Sequence, residues 1–120
     1  MRYAFLLGFF LLLASCSRTE KPLLPEGMSK DSVISRDRMV LILTDIHVLE
    51  AVLQYQRNRK GQSLDPVTAR YQQLFSEYGI SRKRFTQNLA YYQSDPEEFL
   101  KIYNDVVSEL EKRKKLLKLH

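Results

Sequence analysis

Apolar side chains spaced three and four residues apart dominate this chain from residue 39 onward. That spacing places them on one face of a helix, whereas the residues of a half-buried strand would alternate. The first face comprises Met39, Ile42, Leu43, Ile46, Leu49 and Leu53. The later faces comprise Val67, Tyr71, Leu74, Phe75 and Tyr78, then Phe85, Leu89 and Tyr92, then Phe99, Ile102, Tyr103, Val106, Leu110 and Leu117. The spacing therefore predicts an all-α fold.

Helix start and stop signals divide these faces into four segments. Two segments open on an Asp-Pro pair, at residues 65–66 and 95–96, where aspartate caps the helix and proline needs no N–H. Gly79 suits the left-handed residue that ends the second helix, and Ser81 suits the cap of the third. The first helix is predicted to run from Ser35 or Asp37 to about residue 58, and the last to about residue 118. Two long helices then enclose two short ones.

The turns between these segments are two to six residues long, so helices that follow each other should pack antiparallel. We predict a small bundle of about four helices within residues 36–120. The chain has one cysteine, so no disulfide can form within it. The bundle must therefore be stabilised by packing.

The head of the chain predicts export and a lipid anchor. Residues 4–13 are apolar but too few to cross a bilayer, which takes about 20 residues of helix. The sequence Leu13-Ala14-Ser15-Cys16 follows, and it resembles the lipobox of bacterial lipoproteins. The resemblance implies that residues 1–15 are removed as a signal peptide and that Cys16 is acylated. The alternative is a buried structural cysteine behind an ordinary signal peptide.

Residues 16–35 contain two prolines and a glycine, which predicts a flexible linker of up to about 60 Å behind the anchor. Leu23, Leu24, Val33 and Ile34 are apolar enough to fold back onto the domain and shorten it. Ser17 is not the aspartate that retains lipoproteins in the inner membrane, and no acidic run for surface export follows Cys16. By this resemblance we expect an outer-membrane anchor with the domain facing the periplasm.

A longer resemblance covers residues 35–110. The string Tyr71-x-x-Leu74-Phe75-x-x-Tyr78-Gly79-Ile80-Ser81-x-x-x-Phe85, with Leu89-x-Tyr91-Tyr92-x-x-x-Pro96 after it, is similar to an uncharacterised family of small Bacteroidetes lipoproteins. The resemblance implies a helical fold and an envelope location. It supplies no cofactor, substrate or catalytic residue. The basic residues after Ser81 depart from the acidic or neutral residues expected there.

Catalytic and metal chemistry is poorly represented in the sequence. His47 and Glu50 share a helix face, but a metal site needs three or four ligands and the other histidine is the terminal His120. Glu97 and Glu98 are explained by their place in the first turn of a helix. No phosphate loop or nucleophile–histidine pair is present. We therefore predict a non-enzymatic protein without a cofactor.

Two surfaces are the predicted contact sites. Arg82, Lys83 and Arg84 occupy the first turn of a helix, where the helix dipole disfavours cations. Rule-breaking residues often serve function, so these three could bind an anion or an acidic partner, although a solvated surface is the simpler explanation. Tyr91 lies off the Phe85 face and is the best exposed aromatic. A second basic cluster, Lys112, Arg113, Lys114, Lys115 and Lys118, suits the C-terminal end of its helix.

Three functions remain open at this point. The first is a membrane-anchored binding or adaptor module for an envelope protein. The second is a chaperone-like module, since the helix order is similar to helical parts of periplasmic folding factors. The third is a metal-dependent enzyme. The net charge of +5 is modest and does not call for nucleic acid as a partner.

Overall fold

A computed structural model describes residues 21–60 and 66–118 of the chain. Within them lie four α-helices and one short 3₁₀ turn at Lys30–Ser32. The helices are α1 (Arg36–Lys60), α2 (Val67–Glu77), α3 (Arg82–Gln93) and α4 (Pro96–Lys118). No strand occurs in the described ranges. The predicted all-α bundle of two long and two short helices is confirmed. The predicted signal peptide, Cys16, Asp65 and His120 lie outside the described residues.

Local capping explains the predicted starts of α3 and α4, whereas α2 begins at Val67, with Pro66 before the helix and not as its first residue. The Ser81 Oγ accepts a hydrogen bond from the Arg84 N–H at 3.1 Å, and one Asp95 carboxylate oxygen accepts from the Glu98 N–H at 3.1 Å. Gly79 adopts a φ of 64°, which lets the Ile80 N–H reach back to the Phe75 carbonyl at 3.0 Å. This geometry turns the chain sharply from α2 into α3.

One apolar core lies between the four helices. Its buried residues are Ile34, Met39, Val40, Ile42, Leu43, Ile46, Leu74, Phe75, Ile80, Phe85, Tyr92, Ile102 and Val106. The Phe75 and Phe85 rings meet with centroids 5.0 Å apart, so α2 and α3 are joined through aromatic packing. The most extensive helix pair is α1 with α4. The first half of α1 therefore supplies the centre of the core.

Hydrogen bonds between side chains fix the direction of α2 against α1. The Tyr71 hydroxyl donates to Glu50 at 2.8 Å, and the Tyr78 hydroxyl donates to Asp45. Later residues of α2 thus meet earlier residues of α1, which is the antiparallel packing predicted for neighbouring helices. None of the described helices has the length and apolar character needed to span a bilayer.

The chain before α1 is part of the packed domain. Ile34 is 1% exposed and belongs to the core, and Met28 is also buried. Leu23, in contrast, is 71% exposed. Residues 21–35, which we call the strap, therefore fold back onto the bundle, so this part of the predicted linker of residues 16–35 is not a free spacer.

Candidate functional site

Asn88 of α3 holds the strap in place. Its side chain is fully buried, and its Oδ1 accepts a hydrogen bond from the Ile34 N–H at 2.7 Å. Its Nδ2 donates to the Ser32 carbonyl at 3.0 Å and to the Arg84 carbonyl at 2.8 Å. One amide therefore satisfies strap groups that the core would otherwise leave without partners.

Two more residues near the end of α3 bind the strap. The Tyr92 hydroxyl donates to the Ile34 carbonyl at 2.5 Å, and burial raises the pKa of this tyrosine. The Ser94 Oγ accepts from the Leu23 N–H at 2.9 Å and donates to the Tyr91 carbonyl at 2.6 Å. The strap thus contacts α3 through Ile34 and also reaches its C-terminal end through Leu23.

The strap engages one of the three cations of the predicted basic site and leaves the other two exposed. Arg84 is half-buried, and its Nε donates to the Ser32 carbonyl at 3.2 Å, so this guanidinium serves the fold. Arg82 and Lys83 remain exposed at the start of α3. The three cations therefore do not converge on one point.

Tyr91 differs from its predicted role as an exposed aromatic. It is half-buried, and its ring meets the Tyr92 ring edge-on with centroids 5.0 Å apart. It also borders a cavity of about 420 Å³ between α3 and the strap. At 1.5 Å per residue it lies about 13 Å along the helix from Arg82, so the two do not form one site.

Asp45 is the centre of a second polar network. It accepts the Tyr78 hydroxyl of α2 and lies 2.6 Å from the Arg113 guanidinium of α4. The bond to Asp45 is the main reason why the pKa of Arg113 is raised, and Glu109 at 3.5 Å adds to it. This network connects three helices beside the core and leaves Asp45 committed to partners within the fold.

The pKa values of Tyr71 and Tyr78 predict loss of stability at alkaline pH. Burial, followed by hydrogen bonding to Glu50, raises the pKa of Tyr71 from 10.0 to about 12, and burial with Asp45 raises that of Tyr78 further. The folded chain then keeps protons that the unfolded chain releases, so stability is complete below pH 10 and falls as pH rises toward 12.

We expect the urea midpoint to be lower at about pH 11 than at about pH 8. The fall should be smaller when Tyr71 and Tyr78 are both replaced by phenylalanine. A midpoint that stays constant, or a fall of the same size in the double variant, would contradict this expectation.

His47 and Glu50 face each other as predicted, with Nδ1 and Oε2 3.9 Å apart. The His47 ring also lies against Tyr103 with centroids 6.0 Å apart, and Glu50 accepts the Tyr71 hydroxyl. Nowhere in residues 21–60 and 66–118 do three potential metal ligands of the His, Cys, Asp or Glu type come together. The pair therefore has neighbours in the fold but no third ligand among the described residues.

An apolar groove of about 630 Å³ opens along the second half of α1, beside α4. It is lined by His47, Val48, Ala51, Val52, Tyr55, Gln56 and Leu110. Tyr55 is 58% exposed and Val52 is 45% exposed, so these side chains face solvent in the free protein. The lining is mostly apolar with two polar side chains, His47 and Gln56, which is a common composition of a binding site.

Both helices that form the groove carry cations beyond its lining residues. The Arg59 guanidinium lies 5.4 Å from the Tyr55 ring centroid and donates to the Tyr55 hydroxyl at 2.5 Å. On α4, Lys114 is exposed and follows Leu110 by one helical turn. The groove therefore ends in positive charge on both sides.

The sequence contained signals for the groove and the strap that the apolar-face analysis passed over. Val48, Val52 and Tyr55 repeat at four and three, which marks a second apolar stripe beside the core face of α1. Asn88 follows Phe85 by three residues, which puts an amide on the core face of α3. A polar side chain in that position needs buried hydrogen-bond partners, and the strap supplies them.

Fold and strap together define a small four-helix domain whose N-terminal segment belongs to its core. The chain is a member of the family described as Domain of unknown function (DUF4296), whose model matches residues 31–116. The expected membership of an uncharacterised family is thus confirmed. The matched residues begin within the strap. No curated protein and no solved structure matches the chain.

Proposed function

We propose that the protein is a lipid-anchored envelope adaptor, held at the outer membrane by acylated Cys16, whose domain binds a partner protein. The partner is an envelope protein that places an amphipathic helix with acidic flanks into the groove between α1 and α4. The protein takes no cofactor and performs no chemistry. The observation that carries the proposal is the solvent-exposed apolar groove with cations at its end.

The shape of the groove supports a helix as the occupant. Its apolar residues come from two helices, and Val48, Val52 and Tyr55 present an edge of three successive turns. Helix-in-groove recognition uses apolar anchors at this spacing. Val48, Val52 and Tyr55 are already partly buried, and burying their exposed apolar area on binding contributes about 25 cal/mol per Å².

The charge of the groove supports acidic flanks on that helix. Beyond the groove, the last turns of α1 and α4 bear exposed cations: Arg57, Arg59, Lys112, Lys114, Lys115 and Lys118. Glu111 is the one exposed acid among the described residues of those turns. Opposite charge on the partner would raise its rate of association and select it against basic helices.

A photo-crosslinking amino acid at Gln56 tests this assignment in native membranes. We expect one captured protein whose crosslinked segment is an apolar helix with flanking Asp and Glu. Val52→Asp should lower the crosslink yield about tenfold, because a charge in an apolar interface costs more than 1.4 kcal/mol.

Leu41→Asp is the matched control, because Leu41 is also on α1 and is 41% exposed but does not line the groove. Its crosslink yield should equal that of the parent protein. Equal losses in both variants, or a captured segment without acidic flanks, would contradict the proposed occupant.

The same groove also favours a second function, a chaperone-like module, since exposed apolar surface is what such a module requires. A chaperone would crosslink many unfolded chains and suppress aggregation of an unrelated protein in proportion to its concentration. An adaptor would capture one partner and leave that aggregation unchanged.

A further inference from the structure

We propose that one corner of the domain is its membrane-facing surface. This corner is formed by the start of the strap, the C-terminal end of α3 and the N-terminal start of α4. Leu23 inserts there into the headgroup region of the phospholipid bilayer. The proposal rests on the lipid anchor of the proposed function, and it adds an orientation and a contact that the anchor alone does not determine.

The first argument is the reach of the chain. Lys21 is the first described residue, and five peptide steps separate it from Cys16. Five residues span at most about 18 Å, whatever path they take. The Leu23 N–H is held by the Ser94 Oγ at 2.9 Å, so the strap leaves the domain at the turn between α3 and α4. That turn must therefore lie near the bilayer when Cys16 is acylated.

The second argument is the chemistry of Leu23. Its side chain is 71% exposed, although it follows a proline and belongs to a packed segment. Its backbone N–H already has an acceptor in Ser94, so this donor loses nothing when it moves from water into the interface. Leu24 beside it is also partly exposed, at 37%. A leucine presented in this way gains free energy from contact with lipid.

The net charge of the strap does not favour or oppose its contact with the bilayer. Lys21 and Lys30 are exposed on the strap, and Glu26 and Asp31 are exposed there as well. These four charges cancel, so the surface should bind a bilayer of neutral phosphatidylcholine and needs no anionic lipid. Docking is intramolecular once Cys16 is anchored, so one inserted leucine is enough to bias the orientation.

The orientation separates the two surfaces of the domain. Helix α4 begins at Pro96, two residues after Ser94, and leads away from the corner. Leu110 lies 14 residues farther on, which is about 21 Å along the helix. The groove is thus held away from the lipid surface and stays open to a partner.

Single tryptophans test this orientation, because the chain has no native tryptophan. Leu100 and Leu117 are matched positions: both are leucines on α4, and they are 62% and 78% exposed. The full lipidated protein would carry tryptophan at one or the other in phosphatidylcholine vesicles that contain a dansyl-labelled lipid. Energy transfer should be about threefold higher from Leu100→Trp, because about 25 Å of helix separates the positions.

The contact of Leu23 is tested in the same vesicles. Leu23→Asp keeps the backbone bond to Ser94 and should lower the ratio of the two transfers, because the tether alone then biases the orientation. Val107→Asp, at a side chain that is 56% exposed on α4, should leave the ratio unchanged.

Each result has one meaning. Equal transfer from both tryptophans in protein whose mass includes the lipid would overturn the orientation and leave the anchor standing. A ratio unaffected by Leu23→Asp would overturn the contact. A mass without lipid would remove the proposed anchor, and the orientation with it.

Discussion

Replacing Asn88 with alanine should destabilise the domain by about 3 kcal/mol. The change leaves the buried Ile34 N–H without its acceptor, which costs about 1–3 kcal/mol, and the lost bonds to the Ser32 and Arg84 carbonyls add to that cost. The strap can escape this cost only by leaving the core, which would expose the buried side chain of Ile34. Either response lowers the free energy of unfolding.

The measurement is thermal and urea unfolding, with a fall in Tm of about 15 °C expected for a domain of this size. Amide hydrogen exchange at Ile34 should accelerate more than exchange in the centre of α1, because the strap loses its fixed contact first. Gln93→Ala is the matched control on α3: its side chain is exposed, and its stability should stay within about 0.5 kcal/mol. An Asn88→Ala protein as stable as this control would refute the assigned role.

Replacing Cys16 with serine should abolish membrane attachment completely. Under the proposed function the thiol carries acyl chains, and each buried CH₂ contributes about 0.8 kcal/mol to anchoring. Serine accepts no thioether-linked lipid, and the corner around Leu23 is too small to hold the protein at a bilayer without the tether. The processed variant should move from the membrane fraction to the soluble fraction.

Fractionation with mass measurement checks this result. Ser17→Ala is the matched control, because it changes the next residue and keeps the thiol, and it should remain in the membrane fraction. A processed Cys16→Ser protein that still sediments with membranes would contradict the lipid anchor, as would an unmodified thiol in the native protein.

The Cys16 and Asn88 variants affect the two attachments of the N-terminal segment, one to the membrane and one to the bundle. Cys16 would attach the chain to lipid. The strap begins five residues later, and Asn88 attaches it to the bundle at Ile34. Since the strap is part of the core and is bonded to α3, the position of the anchor would constrain the position of α3. Under the proposed function, this arrangement would hold the adaptor in one orientation near the membrane, with its groove facing away.

Local sequence patterns predicted the four helices of the described ranges. Helix periodicity, the Asp95-Pro96 start, the Ser81 cap and the positive φ at Gly79 are local features, because each depends on residues within one turn of the chain. The apolar face of α1 also predicted the core correctly, with Met39 and Ile42 fully buried. Local spacing could specify these elements without knowledge of their neighbours.

The roles of individual side chains depend on how the helices and the strap pack together. The strap bonds to residues 52 to 71 positions away, so no local pattern showed that Arg84 would donate to it or that Tyr91 would lie half-buried beside a cavity that it borders. The groove likewise depends on where α4 lies against α1. Contacts between distant residues depend on how the helices pack, and helical spacing constrains which faces are apolar but not which faces meet.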